Sequence, residues 1–307
     1  MSRVAIVGAG AWGTALAIQA ARAGCDVTLW ARDPARVRPG LPDAIRITAD
    51  LPGAAEAILL AVPMQHLREV AQRLPPGAAP LVACAKGVEQ VTLRLPLEVL
   101  GELHPARPAA VLTGPNFAHE IAAGLPAATV IAAVDAALRG GLAALLGTPT
   151  FRVYGNDDPI GAQVGGAAKN VIAIAAGAVI GAGLGENARA GLITRGLAEL
   201  GRLAVALGGR TETVMGLSGL GDLLLTCTGA SSRNFSLGAA LGRGEALADV
   251  LAARSAVTEG VATAPALVAR AAGVEMPICR GVRDLLAGRT TLAESMTGLL
   301  ARPRRDE

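Results

Sequence analysis

Arg3-Val-Ala-Ile-Val-Gly8-Ala-Gly10-Ala-Trp-Gly13-Thr-Ala-Leu16 opens the chain as an apolar strand that runs into Gly-x-Gly-x-x-Gly and then into a helical pattern. In a dinucleotide-binding βαβ unit the first glycine, here Gly8, permits a tight turn, and Gly10 lets the backbone approach a pyrophosphate. Gly13 then lets the helix pack closely on the strand. The pyrophosphate faces the helix N-terminus, where unpaired N–H groups and the helix dipole favour an anion. Three spaced glycines also serve ordinary turns. The order strand, turn, helix and second strand (Asp26–Trp30) is what favours the binding unit, and it predicts a nicotinamide or flavin coenzyme.

Working outward, the first half alternates short apolar runs with helical patterns. Val4–Val7, Asp26–Trp30, Ala57–Val62, Pro80–Ala85, Ala109–Leu112 and Ala127–Ala132 read as strands, and Thr14–Ala23, Gln65–Arg73 and Thr92–Leu100 as helices. Such alternation indicates a Rossmann-like, doubly wound parallel sheet. After about Asp157 the character changes. Pro159–Ile180 and Asn187–Leu207 are long Ala-rich helical segments, followed by shorter ones at Gly219–Cys227, Ser236–Leu241, Ala246–Ala253, Glu259–Ala271 and Arg280–Leu286. Gly155-Asn156-Asp157-Asp158-Pro159 is a turn and helix-cap signal. The expected organisation is an α/β dinucleotide-binding domain over 1–157 and an all-α substrate-binding and catalytic domain over 158–307. Ligands would gather in the crevice between them, at the carboxyl ends of the strands.

Bulk properties narrow the function. A chain of 307 residues, 52% hydrophobic and 17% charged, is long enough for two cores. The net charge of +3, from scattered Lys and Arg, does not suggest a nucleic-acid partner. The basic run Arg302-Pro303-Arg304-Arg305 reads as a solvated tail. Cys25, Cys84, Cys227 and Cys279 lie far apart without Cys-x-x-Cys spacing, so neither a disulfide framework nor a metal site is expected, and a reducing cytoplasm is the default. The chain starts on a strand, so no signal peptide is expected. The uncharged stretch Val171–Gly185 is shorter than the ~20 residues of a span and reads as a buried helix, so no stable membrane insertion is expected.

The coenzyme choice turns on Ala31-Arg32-Asp33, where the second strand ends. An acidic residue near this position marks NAD binders, through the ribose 2′-hydroxyl, whereas an arginine accommodates a 2′-phosphate. Arg32 comes first, so NADP use or dual specificity is expected over strict NAD use.

Polar residues set in apolar sequence mark the chemistry. Lys86 follows the strand that ends near Ala85, and Gly114-Pro115-Asn116-Phe117-Ala118 follows another, so both lie where ligands collect. Lys169-Asn170 sits inside a helix of Ala, Val, Ile and Gly. A buried ammonium there needs anionic partners or a depressed pKa, which suits proton transfer; snorkelling to the surface is the plainer alternative. Asp222 and Thr226 stand one helical turn apart on one face. Ser231-Ser232-Arg233-Asn234, ahead of a helix, combines hydroxyls, a guanidinium and free N–H groups into a phosphate seat, although either serine could simply cap the helix.

Taken in order, several of these pieces resemble the bacterial-type NAD(P)-dependent sn-glycerol-3-phosphate dehydrogenases. The matching elements are Gly8–Leu16, Ala61-Val62-Pro63, Ala85-Lys86-Gly87, Gly114–Ala118, Lys169-Asn170-Val171, Gly219–Asp222, Arg233-Asn234 and Thr258-Glu259-Gly260-Val261, which span nearly the whole chain. The resemblance implies interconversion of dihydroxyacetone phosphate and sn-glycerol 3-phosphate for phospholipid synthesis, in a cytoplasmic homodimer. It implies that Lys169 is the general acid–base, Lys86 an electrostatic stabiliser touching both substrate and coenzyme, and Asp222 the group that holds Lys169. Gly114, Asn116, Thr226, Ser232, Arg233 and Asn234 would grip the small phosphorylated substrate. Gly8, Gly10, Ala11, Trp12, Gly13, Arg32, Lys86, Ala118, Arg233, Val257 and Glu259 would hold the NAD or NADP. Ala11 and Asn116 stand where the family often has Ser, and the interval from Ala35 to Ala49 looks shorter than usual.

Two other functions fit parts of the pattern. A related reductase of a 2-keto or 3-hydroxy acid would share the architecture, since fold does not decide function. A non-catalytic NAD(P)-binding sensor would keep the glycines and need neither lysine.

Overall fold

A computed structural model describes residues 1–37, 41–254 and 257–301. The basic run Arg302–Arg305 lies outside the described residues, as do 38–40 of the shortened interval. The strands are β1 Arg3–Val7, β2 Asp26–Trp30, β3 Ile45–Thr48, β4 Ala57–Leu60, β5 Leu81–Ala83, β6 Ala109–Thr113, β7 Ala127–Ala132 and β8 Phe151–Asn156. The helices among them are α1 Ala11–Arg22, α2 Met64–Gln72, α3 Pro96–Leu103, α4 Ala118–Ala123 and α5 Ala136–Leu146. Then follow α6 Pro159–Gly181, α7 Gly185–Ala206, α8 Thr211–Met215, α9 Asp222–Thr228, α10 Arg233–Gly242, α11 Leu247–Ala252, α12 Glu259–Arg270, α13 Pro277–Leu286 and α14 Leu292–Leu300.

One sheet runs β3-β2-β1-β4-β5-β6-β7-β8. Its first six strands have the doubly wound order, with the switch point between β1 and β4, where ligands bind outside the strand ends. Both faces are covered, which is why the central strands are continuous apolar runs rather than alternating ones. Ile6, Leu29 and Leu59 pack with α1 residue Leu16 on one face. Val7, Ile58 and Leu60 pack with Leu67 of α2 and Val99 of α3 on the other.

The sheet departs from a purely parallel one at β7, which runs antiparallel to β6, while β8 runs parallel to β7. The connection from β6 to β7 carries only the six-residue α4. At ~1.5 Å per residue such a helix rises about 9 Å, too little to carry the chain back along β6, so the chain re-enters the sheet from the same end. The edge strands β3 and β8 escape sequence reading because each has a partner on one side alone and mixes exposed with buried positions. Helix α3 begins at Pro96 rather than Thr92. Leu93 takes a left-handed φ of 59° in the preceding turn, and Pro96, lacking an N–H, sits at the first helical position.

Asp158 starts the helical half. Its side chain accepts from Gly161 N at 2.8 Å and from Arg210 N at 2.8 Å, capping α6 and pinning the start of α8 beside it. Helix α6, apolar on every side but for Gln163, Lys169 and Asn170, forms the axis of the second core, with α7, α9, α10, α12 and α13 against it. By length and hydropathy α6 could cross a membrane, but 83% of its most apolar window is buried inside the protein. That is the pattern of a central core helix.

Candidate active site

Three chain segments that are distant in sequence converge on one carboxylate. Lys86 follows β5 at its carboxyl end, and its Nζ donates to Asp222 Oδ2 at 2.7 Å and to the Gly114 carbonyl, just past β6, at 3.1 Å. Lys169, from the middle of α6, donates to Asp222 Oδ1 and to Thr226 Oγ1, the latter at 3.0 Å. Thr226 Oγ1 in turn donates to the Asp222 carbonyl at 2.6 Å, so the α9 turn itself orients the hydroxyl. The Asp222 side chain is 1% exposed, while those of Lys169 and Lys86 keep 9% and 15%. The carboxylate is therefore a buried bridge, and the amines are its outward ends.

The local sequence makes this approach possible. A side chain at Gly165, one turn before Lys169, would bring its Cβ within 2.4 Å of the Ser218 carbonyl. Its absence lets α6 touch the π-type turn Leu217–Gly221 that delivers Asp222.

Burial pushes the Lys169 ammonium down to about 8; the Asp222 charge opposes this, and the Lys86 charge adds to it. Burial likewise raises the Glu259 carboxyl above its usual range, with Arg233 pulling the other way. The Cys84 thiol, also in the wall, is pushed up to about 12 by burial and is inert as a nucleophile near neutrality.

The amines face a cavity of about 360 Å³. Besides Lys86, Lys169, Asp222 and Thr226, its wall contains the predicted residues Ala11, Trp12, Asn116, Ala118, Ser232, Arg233, Asn234, Val257 and Glu259. Ser232 Oγ caps α10 by accepting from Phe235 N at 3.2 Å, so the helix-cap alternative holds for that hydroxyl. Asn234 is fixed at both ends of its amide: Nδ2 donates to Asn170 Oδ1 at 2.9 Å, and Oδ1 accepts from Gly260 N at 3.0 Å. These bonds tie α6, α10 and the start of α12 together. Arg233 Nη1 donates to the Val257 carbonyl at 2.7 Å. Asn116 Nδ2 reaches the Ala128 carbonyl at 3.3 Å, while its buried Oδ1 has no partner among the described residues. Gly114 stands behind Lys86 rather than in the wall.

Residues 3–139 match the family model of the NAD-dependent glycerol-3-phosphate dehydrogenase N-terminus, and 158–297 that of its C-terminus. A glycerol-3-phosphate dehydrogenase [NAD(P)+] of Acidiphilium cryptum is 58% identical, over 99% of this chain and 98% of its own. Its counterpart in Gluconobacter oxydans is 54% identical, over 98% and 97%. The chain belongs to the NAD-dependent glycerol-3-phosphate dehydrogenase family. The crystal structure of glycerol-3-phosphate dehydrogenase from Coxiella burnetii superposes with a TM-score of 0.93 at 37% identity, over 98% of this chain and 99% of that one. A ketopantoate reductase from Ralstonia eutropha, at 20% identity and a TM-score of 0.60, shares the fold.

The family's dinucleotide fits the residues present. A Cβ on Gly13 would lie 1.7 Å from the Gly8 carbonyl, and one on Gly8, at φ +114°, 2.6 Å from the Ala61 carbonyl, so the turn closes only with glycine at both. At Gly10 a Cβ would meet nothing within 4 Å, which leaves room for a ligand against the backbone. Helix α1 starts there with no side-chain cap and no acid in its first turn, so its N–H groups are available to an anion. The buried Trp12 Nε1 also lacks a partner among the described residues.

Gly8 and Arg32 line a second cavity, of about 320 Å³, at the ends of β1 and β2, and the N-terminus of α1 lies between the two cavities. Cys84 and Leu225 in the first and Trp30 and His66 in the second were not among the site residues expected from the sequence, while Pro63 of the Ala61-Val62-Pro63 element lines the second. Cys84 could have been, being two residues before Lys86 at the same strand end. His66 carries no such signal, because it reads as one more polar position on α2.

Proposed function

We propose that the chain interconverts dihydroxyacetone phosphate and sn-glycerol 3-phosphate, with Lys169 as general acid–base. The observation that carries this reading is the pair of amines on opposite oxygens of the buried Asp222 carboxylate, facing one cavity. Bound NAD(P)(H) supplies the hydride for ketone reduction and takes it up in alcohol oxidation. In the reducing direction Lys169 Nζ donates a proton to the C2 oxygen of the substrate; in the oxidising direction the neutral amine takes it back. Lys86, held by Asp222 and the Gly114 carbonyl, keeps a positive charge beside the oxygen as negative charge builds there. Asp222 orients both amines and prevents two neighbouring ammoniums from standing uncompensated. Thr226 fixes the Lys169 rotamer.

Arg233, Asn234 and the N-terminus of α10 serve the phosphate end, with Ser232 acting through its cap bond, and Asn116 and Gly114 border the triose. Gly8, Gly10, Ala11, Trp12 and Gly13 cradle the pyrophosphate, Arg32 the adenosine ribose, and Ala118, Val257 and Glu259 the nicotinamide side. The division at 157/158 follows the Asp158 cap, with the sheet half holding coenzyme and the helical half holding substrate. The reading extends to a cytoplasmic homodimer whose product feeds phospholipid synthesis. The charges lining the cavity, with Lys86, Lys169 and Arg233 against Asp222 and Glu259, favour an anionic substrate over a neutral ketone.

The test is oxidation of NADPH and NADH, followed by absorbance, with dihydroxyacetone phosphate, dihydroxyacetone and a 2-keto acid offered in turn. Turnover confined to the phosphorylated ketose is expected. Equal turnover of the keto acid would return the chain to the broader reductase reading, and coenzyme binding without any turnover would favour the sensor.

A further inference from the structure

We infer that Arg36 is a specificity-determining residue that biases the chain toward a 2′-phosphorylated coenzyme by screening Asp33, the one acidic residue among the described residues in the wall of the second cavity. The inference rests on the dinucleotide reading above. The end of β2 presents two opposed determinants side by side: Arg32, suited to a 2′-phosphate, and Asp33, suited to a 2′-hydroxyl and repelling a phosphate. Both line the cavity at the ends of β1 and β2. The geometry settles which of them is spoken for. Asp33 Oδ1 accepts from Ala35 N at 3.1 Å, capping the short 3₁₀ turn Pro34–Arg36. Its Oδ2 pairs with Arg36 Nε at 3.2 Å. Both carboxylate oxygens therefore have partners within the turn, and although the pair is exposed (Arg36 87%, Asp33 53%), Arg36 offsets part of the negative charge at its source.

Arg32 makes no ion pair among the described residues, so its guanidinium remains for a ligand. Arg36 also lines the cavity, and pairing through Nε leaves both of its terminal nitrogens for a second contact to a phosphate. The cavity thus offers two guanidiniums and a partly screened carboxylate. Removal of Arg36 would unmask Asp33 beside Arg32 and restore the arrangement of an NAD binder. Arg36 lies on the surface, outside the catalytic cluster, so its loss should leave the fold intact.

The test is calorimetric binding of adenosine 2′,5′-bisphosphate and adenosine 5′-monophosphate, which read the ribose site without turnover. Arg36→Gln is expected to weaken the bisphosphate ~tenfold, equivalent to about 1.4 kcal/mol, and to leave the monophosphate within about twofold. Adding Asp33→Ala to Arg36→Gln should recover part of the lost affinity, the part that comes from the charge Arg36 masks, and leave the part that comes from its own contact to the phosphate. Bisphosphate affinity unchanged in Arg36→Gln, an equal loss for both nucleotides, or no recovery in the double variant would each overturn the inference. If the wild-type chain binds neither nucleotide, the dinucleotide reading fails and this inference with it.

Discussion

Replacing Asp222 with Asn should move the pH dependence of catalysis in a direction that the geometry dictates. Lys169 sits at about 8 because burial lowers it while the Asp222 charge holds it up. An elementary charge pair 4 Å apart at an effective dielectric of 20 is worth about 4 kcal/mol, and one pH unit corresponds to about 1.36 kcal/mol, so ~3 units is the ceiling on the loss. Asn keeps an acceptor oxygen, and Thr226 Oγ1 stays in place, so a fall of about 1–2 units is expected. In the proposed mechanism reduction needs the ammonium. In the wild type about nine-tenths of Lys169 is protonated at pH 7, and kcat/KM for dihydroxyacetone phosphate should decline as pH rises through about 8. In Asp222→Asn that decline should centre at about pH 6–7, leaving roughly 10–50% of the acid form at pH 7. Oxidation of glycerol 3-phosphate, on the same mechanism, needs the neutral amine, so its rising limb should move to lower pH by the same amount. The assay is kcat/KM in both directions between pH 5.5 and 9.5 at saturating coenzyme, with thermal melts to establish that the variant is folded. An unmoved limb, or one moved to higher pH, would refute the shared-carboxylate argument.

Three further outcomes test other parts of the site. Lys169→Ala should lower kcat by at least ~10²-fold with coenzyme affinity little changed, as measured by steady-state kinetics and nucleotide titration. Arg233→Ala should raise KM for the phosphorylated ketose by ~10–100-fold, the scale of a lost charge-assisted hydrogen bond; an unchanged KM would move the phosphate elsewhere. Gly13→Ala should cost about 1–3 kcal/mol or more of stability in a denaturant titration and abolish coenzyme binding, since its Cβ would sit 1.7 Å from the Gly8 carbonyl.

How much was legible in the sequence follows from where each signal is written. Residues Arg3–Leu16 announced the βαβ unit because its glycines answer to local sterics, which need no tertiary knowledge. Strands β1, β2, β4, β5 and β6 read as apolar runs because helices cover both faces of the sheet, and α6 read as a core helix for the same reason. Strands β3 and β8 were hidden because an edge mixes burial with exposure, and the reversal at β7 because direction depends on whether a short connection can span the sheet. The site divides along similar lines. A lysine amid Ala, Val and Ile is conspicuous in one dimension, since burying an ammonium carries an obligation that the sequence displays without meeting. What meets it is Asp222, 53 residues further on, and the sequence held no sign that the same carboxylate also serves Lys86, 136 residues before it. That sharing depends on Gly165 letting α6 approach the turn before α9, a steric fact that appears only once both elements are in place. It also bears on the chemistry: one buried carboxylate holding two amines leaves the pair a positive charge in excess while both are protonated. Loss of a proton from Lys169 near pH 8 then relieves that excess without stranding a negative charge, so the bridge suits a group that must give and take a proton near neutrality.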